Sequence, residues 1–134
     1  MRQSQHQLSV RTRGKGLYPF TREAVAWCES TGIQTGLLTV FCRHTSASLT
    51  VQENADPDVQ TDLVTALRRL APQDGPWVHT VEGPDDMPGH IRAMLTGVFA
   101  SSSINSIGKG WLADGNIGQL LVQFYDVAAT FIYC

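Results

Sequence analysis

The hydrophobic and polar positions of this 134-residue chain follow strand periods in some stretches and helical periods in others. Residues 3–13 contain a short alternating run that predicts an opening strand. Leu37–Cys42 is apolar at nearly every position, which is typical of a central strand buried on both faces. Further strands are predicted over the alternating residues 47–52, over 77–81 and 99–107, and over 120–133 as one strand or as two broken near Asp126.

Three segments have the spacing of amphipathic helices. Thr21 is predicted to cap the first, which runs to about Thr31. Asp56 is predicted to cap the second, with Pro57 in the first helical position. A third, shorter helix has Pro88 in its first turn. The second helix carries the clearest apolar stripe, made of Val59, Leu63, Ala66, Leu67 and Leu70.

These elements predict a single α+β domain over residues 1–134, with a mixed, largely antiparallel sheet and two or three helices. The net charge of −2 argues against a nucleic-acid partner, which would require a basic surface. No apolar run is long enough to span a bilayer, and the polar amino terminus lacks the features of a signal peptide. The three cysteines form no CxxC pair, so reduced thiols and a cytoplasmic location are expected.

The segment from Glu82 to Arg92 concentrates residues with special conformational and chemical properties. It holds two adjacent aspartates, two prolines, two glycines and a histidine, a composition that favours a well-defined turn. Asp85 and Asp86 complement the positive end of the helix that follows, and His90 lies near its start. The segment is therefore interpreted as a functional site.

Three histidines, His44, His79 and His90, are candidate metal ligands, because each lies at a predicted strand end or helix start. Neutral imidazoles with an open coordination position suit zinc or a similar divalent ion. Their spacing matches no local metal motif, so structural histidines near the surface are the alternative. Asp85 and Asp86 are interpreted as acceptors for the histidine rings, as carboxylates that transfer protons, or as capping charges.

Two stretches of the sequence resemble the signature segments of the YjbQ family. They are residues 44–59, HTSASLTVQENADPDV, and residues 82–91, EGPDDMPGHI, with Gly89 where alanine is usual. The resemblance extends from about Gln3 to Gly97. It implies a small α+β subunit that assembles into a homotrimer and carries a metal-binding pocket lined by His44, His79 and His90, with Asp85 or Asp86 nearby. The tail departs from the family pattern, since a Gly-Thr-Trp-Gln segment is missing and no arginine follows Arg92.

The YjbQ family is often labelled a secondary thiamine-phosphate synthase, and this resemblance implies a metal-assisted reaction on a small phosphorylated substrate. The ion would stabilise the negative charge of a departing pyrophosphate. Because the chain offers no phosphate-binding glycine loop and only two lysines, Arg43 and Arg92 are the candidates to hold phosphate groups, with Asp85 and Asp86 as catalytic carboxylates. The alternative is a non-catalytic trimeric binding or scaffold protein that retains the histidine pocket.

Overall fold

A computed structural model describes residues 2–44, 47–52, 56–105, 119–124 and 130–133, and these ranges contain three helices and seven strands. The α+β class is confirmed. No helix in these ranges is long and apolar enough to cross a membrane. The elements are β1 (Gln5–Leu8), β2 (Gly16–Pro19), α1 (Thr21–Thr31), β3 (Thr35–Cys42), β4 (Ala47–Gln52), α2 (Pro57–Leu70), α3 (Asp86–Thr96), β5 (Phe99–Asn105), β6 (Gln119–Phe124) and β7 (Thr130–Tyr133).

The described strands form two sheets, with the orders β1-β7-β3-β5 and β2-β6-β4, and every pairing is antiparallel. As predicted, β3 has a neighbour on each side. Its burial, however, alternates: Leu38 is 1% exposed, whereas Leu37 is 59% exposed. The prediction that both faces of this strand are buried was wrong, because the core lies on one face only. That core is made of Phe20, Ala24, Cys28, Leu38, Val40, Cys42, Ala47 and Leu49.

Helix α1 has the predicted length, but its cap differs from the prediction. Phe20 occupies the N-cap position without a side-chain hydrogen bond, and Thr21 is the first helical residue. The reason is packing, since Phe20 is buried in the core and fixes where the helix begins. Gly32 ends α1 in the left-handed conformation, with φ of 67°, and its N–H donates to Glu29 O, as expected for a glycine cap.

Helix α2 begins as predicted, because Asp56 Oδ1 accepts a hydrogen bond of 2.9 Å from the Asp58 N–H. The prediction of a buried stripe was wrong. No residue of α2 is fully buried, and Leu70 is 61% exposed. The contacts of α2 with β2 and with the Arg92 side chain cover only part of the stripe. An apolar face of α2 is therefore left open in the single chain.

The end of α3 joins the two sheets. Gly97 has a φ of 125°, and its carbonyl accepts a 2.6 Å hydrogen bond from the Leu49 N–H in β4. The carbonyl of the next residue, Val98, accepts a 2.8 Å hydrogen bond from the Cys42 N–H in β3. Pro88, Gly89 and Arg92 form the buried face of the helix. Because this buried face and the end of the helix are anchored, the exposed face of α3 is held in a fixed position beside the sheets.

Two strand predictions need correction. β2 was not predicted, because its sequence, Gly-Leu-Tyr-Pro, is short and contains both a glycine and a proline. Residues 77–81 are irregular rather than a strand, since Val78 and Val81 are almost fully exposed and the segment pairs with none of the described strands. The strands predicted in 99–107 and 120–133 are confirmed as β5 and as the pair β6 and β7. Residues 108–118, between these two predicted stretches, lie outside the described residues.

Candidate metal centre

The loop between α2 and α3 is shaped by a tryptophan packed on a glycine. The Trp77 indole N–H donates to Pro72 O over 2.8 Å, and its ring lies so close to Gly75 that an added Cβ would come within 2.3 Å of it. Farther on, Gly83 has a φ of 105°, and its N–H donates to Thr80 O over 3.2 Å. These contacts set the path of the loop and carry His79 towards the start of α3.

Two of the three predicted histidines meet on one carboxylate. Nε2 of His79 lies 2.9 Å from Oδ2 of Asp86, and Nε2 of His90 lies 3.2 Å from the same oxygen. His90 follows Asp86 by one helical turn, so the helix itself places these two side chains next to each other. The two rings meet edge to face, with centroids 5.9 Å apart.

The cluster of His79, Asp86 and His90 is open to solvent on its histidine side. The side chain of Asp86 is 16% exposed, while those of His79 and His90 are 44% and 43% exposed. One half-buried carboxylate therefore lies beneath two accessible imidazoles. A small molecule or water could reach the rings without any rearrangement of the backbone.

The donor atoms of this cluster fit a divalent ion. The three ligand atoms all lie within 4.8 Å of one another. Ligands at about 2.0–2.1 Å from a tetrahedral zinc are themselves separated by roughly 3.3 Å, and the two separations between a histidine nitrogen and the Asp86 oxygen, 2.9 and 3.2 Å, are already close to this value. Two imidazoles and a carboxylate also form a known catalytic zinc set that leaves one position open.

His44 and Arg43 are not members of the His79, Asp86 and His90 cluster. Both follow the last residue of β3, and His44 is not among the residues that form the three-membered cluster. The side chain of Arg43 is exposed, and that of His44 is half-buried. The structure thus brings together two of the three predicted histidine ligands, and a role for His44 in metal binding stays a prediction.

Asp85 is engaged in a different network from its neighbour Asp86. Its Oδ1 accepts hydrogen bonds from the side chains of Lys15 and Gln73, which come from the β1–β2 connection and from the loop after α2. Asp85 occupies the N-cap position of α3 but makes no side-chain capping bond. Its role in the structure is to tie three segments together beside the cluster, and side-chain capping by Asp85 is not observed.

Arg92 is a structural residue rather than a surface group that could hold a phosphate. It is 2% exposed, and its Nη2 and Nε donate to Ala71 O and Leu67 O over 2.7 and 3.2 Å. Burial lowers the pKa of its guanidinium, and the Asp85 carboxylate acts in the opposite direction. The suggestion that Arg92 holds substrate phosphate was wrong, because the side chain is buried and its Nε and Nη2 donate to the end of α2.

Sequence reasoning did not identify the partners of Asp85. Lys15 is separated from it by 70 positions along the chain, and Gln73 by 12, so neither shares a local motif with it. The one available signal for Lys15 was its scarcity, because the chain has only one other lysine. Gln73 gave no signal, since a polar residue after a helix is ordinary.

Comparison with known proteins supports a family assignment. The family model described as "UPF0047 protein YjbQ-like" matches residues 6–126. A UPF0047 protein of Synechocystis is 53% identical over 96 residues, which cover 71% of this chain and 65% of that protein. The UPF0047 protein YjbQ of Escherichia coli O157:H7 is 34% identical over 112 residues, or 83% of this chain and 79% of its own.

The fold comparison agrees with the sequence comparison. An uncharacterised YjbQ/UPF0047 protein of Clostridium acetobutylicum superposes with a TM-score of 0.75 at 25% identity, covering 98% of both chains. A conserved hypothetical protein of Thermus thermophilus gives a TM-score of 0.76 at 29% identity, covering 96% of this chain and 98% of its own. With a family match over nearly its whole length, the chain belongs to the YjbQ/UPF0047 family.

Proposed function

We propose that this protein binds a divalent metal ion such as zinc through His79, Asp86 and His90 and uses it on a small phosphorylated substrate. The observation that carries the proposal is the convergence of both Nε2 atoms on one Asp86 oxygen. In the absence of an ion, these contacts act as hydrogen bonds. With an ion present, the same three atoms would become its ligands.

The residues around the cluster suit a phosphorylated substrate. A bound divalent ion acts as a Lewis acid that polarises phosphoryl oxygens and stabilises a departing phosphate group. Lys15 is held by Asp85, the chain neighbour of the cluster residue Asp86, and it adds a positive charge. Arg43, exposed after β3, is the remaining candidate for a phosphate contact.

A purely structural role is the competing interpretation of the cluster. The two histidines would then only tie the loop to α3 through Asp86. Metal binding by the purified protein separates the two interpretations, because a structural hydrogen-bonded cluster needs no ion. We expect the chelator-treated protein to bind one zinc ion per chain in a calorimetric titration.

Three substitutions test the ligand assignment. Asp86→Asn, His79→Gln and His90→Gln should each weaken zinc affinity by more than about 100-fold, because the loss of a direct ligand costs more than the loss of a group that only supports one. His6→Gln is the matched control, since His6 lies on β1 and stacks on Trp27 outside the cluster. His44→Gln measures separately whether the third predicted histidine contributes.

The outcome that overturns the metal proposal is equally specific. If the wild type binds zinc no better than His79→Gln and His90→Gln, the cluster is structural. Circular dichroism on each variant keeps this result distinct from unfolding. If the protein binds the metal ion but does not hydrolyse phosphate esters, the metal site is supported and the enzymatic part of the proposal is wrong.

Self-assembly is the second part of the proposed function, and the exposed apolar residues of α2, α3 and their loop support it. Leu70, Val78, Val81 and Met94 are all more than 60% exposed, an arrangement that favours burial against another copy. We propose that the protein forms a cytoplasmic homotrimer through this surface. Sedimentation equilibrium should give three times the mass of one chain for the wild type. The variant Met94→Glu should give a lower mass, and Ala26→Glu, on the exposed side of α1, should not.

A further inference from the structure

The candidate metal ligands are bordered by apolar side chains that are exposed. Val78, the chain neighbour of His79, is 98% exposed, and Val81, two positions after that histidine, is 94% exposed. Met94, which follows His90 by four residues on α3, is 77% exposed. Apolar side chains as accessible as these are typical of a surface that is covered in the functional protein.

Helix geometry places Met94 beside the ligands. Asp86, His90 and Met94 recur every four residues, so they form one row along α3. The buried residues of the helix lie on its other side and are Pro88, Gly89 and Arg92. The same outward face of α3 therefore carries two of the three candidate ligands and an exposed apolar side chain.

The exposed apolar area is close to what a contact between proteins needs. Five residues in the loop and at the ends of α2 and α3 are between 48% and 98% exposed: Leu70, Val78, Val81, Met94 and Leu95. Together they expose on the order of 700 Å², compared with about 800 Å² that each partner contributes to one stable contact. Arg92 ties α3 to the end of α2, so these residues come from connected segments.

Charges of both signs adjoin the apolar residues, which favours a second copy of the chain as the partner. Arg68 and Arg69 precede Leu70, Glu82 follows Val81, and all three charged residues are exposed. In a closed ring of identical subunits, the basic side of one copy meets the acidic side of the next. A partner with charges of only one sign would match half of this border.

We propose that a second copy of the chain packs over the cluster of His79, Asp86 and His90, so that the metal site is complete only in the assembled protein. The inference rests on the proposed metal site and adds that ion binding and self-assembly strengthen each other. This coupling is reciprocal, because an assembly that binds the ion more tightly is itself stabilised by the ion.

The ion promotes assembly by joining two segments of the apolar surface. His79 comes from the irregular connection before α3, whereas Asp86 and His90 belong to the helix. An ion held by all three fixes the two valines of that connection relative to Met94. A surface that is already fixed in its bound form loses less conformational freedom on association.

Assembly promotes ion binding by keeping water away from the ligands. The side chains of His79 and His90 are each a little under half exposed in the single chain. A partner that packs on Val78 and Met94 covers these rings as well. The attraction between an ion and its ligands is stronger where water is excluded.

Sedimentation velocity on the full chain tests the coupling from the side of assembly. A dilution series is run on chelator-treated protein with and without added zinc. We expect zinc to lower the protein concentration at which half of the chains are assembled by at least about tenfold. His90→Gln lacks a ligand and should assemble as the zinc-free wild type does, with or without zinc.

Zinc affinity, measured against a competing chelator, tests the coupling from the side of the ion. The wild type should bind zinc at least about tenfold more tightly above the assembly concentration than below it. Met94→Gln removes an apolar contact without adding a charge near the ion. It should bind zinc as the wild type does when both are single chains, and about tenfold more weakly at a concentration where only the wild type is assembled. Ala26→Gln, exposed on α1, is the control and should match the wild type throughout.

Reaction of the histidines with diethyl pyrocarbonate tests the covering of the cluster without any metal. In chelator, His79 and His90 should react more slowly above the assembly concentration than below it. His6, which is exposed on β1, should react equally at both concentrations. Equal rates for His79 and His90 in single and assembled chains would overturn the inference.

Two further results would overturn the inference, and they separate it from the proposed function. Zinc bound with the same affinity at every protein concentration, or by a chain that never assembles, would leave the metal site standing and remove the coupling. A wild type that binds no zinc at any concentration would remove the metal site and the coupling with it.

Discussion

Replacement of Arg92 by methionine should remove the polar connection between α3 and the end of α2. Arg92 Nη2 and Nε donate to the carbonyls of Ala71 and Leu67, over 2.7 and 3.2 Å. Ala71 is the C-cap residue of α2, and Leu67, in the last turn, also accepts a 3.0 Å hydrogen bond from the Ala71 N–H. Methionine retains most of the buried side-chain volume but donates no hydrogen bond, so the substitution isolates the polar contribution.

The expected loss of stability follows from two opposing effects. Hydrogen bonds from a charged donor contribute about 1.5–3 kcal/mol each, so two of them give roughly 3–6 kcal/mol. The substitution also relieves the cost of keeping a charge out of water, a cost visible in the lowered pKa of Arg92. The substitution does not leave Asp85 without partners, because Asp85 keeps its contacts with Lys15 and Gln73. A net destabilisation of about 2–4 kcal/mol is therefore expected, since neither effect cancels the other fully.

Urea unfolding followed by circular dichroism measures this loss, provided that the slope of the transition is the same in both proteins. Arg22→Met is the control, because Arg22 is exposed in the first turn of α1 and its change should stay within about 0.5 kcal/mol. Arg92→Lys should recover part of the stability, since it restores a charge but not both bonds. A variant Arg92→Met as stable as the wild type would refute the role assigned to this buried guanidinium.

Two further predictions concern the cap of α2 and a buried thiol. Asp56→Ala should lower the unfolding free energy by about 0.5–2 kcal/mol, because the Asp58 N–H loses its acceptor; an unchanged urea midpoint would contradict the cap. Burial raises the pKa of the Cys42 thiol from 9.0 to about 11, and a backbone hydrogen bond at His44 opposes this. Below pH 9 the thiol is protonated whether folded or unfolded. Above that pH only the unfolded state ionises freely, so stability should fall between about pH 9 and 11, by at most about 2–3 kcal/mol. The Cys42→Ala variant should lose less stability than the wild type between pH 8 and pH 10, and equal losses would show that the thiol does not contribute.

The sequence was most informative where the determining contacts are local. The cap at Asp56 and the end of α1 near Thr31 depend on residues within a few positions, and the structure contains both. Burial was harder to predict. The runs in β3 and α2 are apolar enough to be covered completely, but the rest of the chain covers only part of each.

The candidate site shows the same division between local and distant contacts. Asp86 and His90 are one turn apart on a helix, so their proximity could be predicted once the helix was recognised. The position of His79 depends on the loop path set by Trp77, and the position of Asp85 on side chains from two other segments. These are tertiary contacts without a periodic signal in the sequence.

The three polar groups of the cluster also differ in how freely evolution can change them. Asp86 and His90 share one helix, and their separation is fixed as long as that helix persists. His79 reaches them from an irregular connection, the kind of segment that tolerates insertions and deletions. A change in the length of that connection would move His79 and leave the helical pair in place. Relatives could therefore acquire a different third group, and with it a different preference for ions or substrates, without altering the fold.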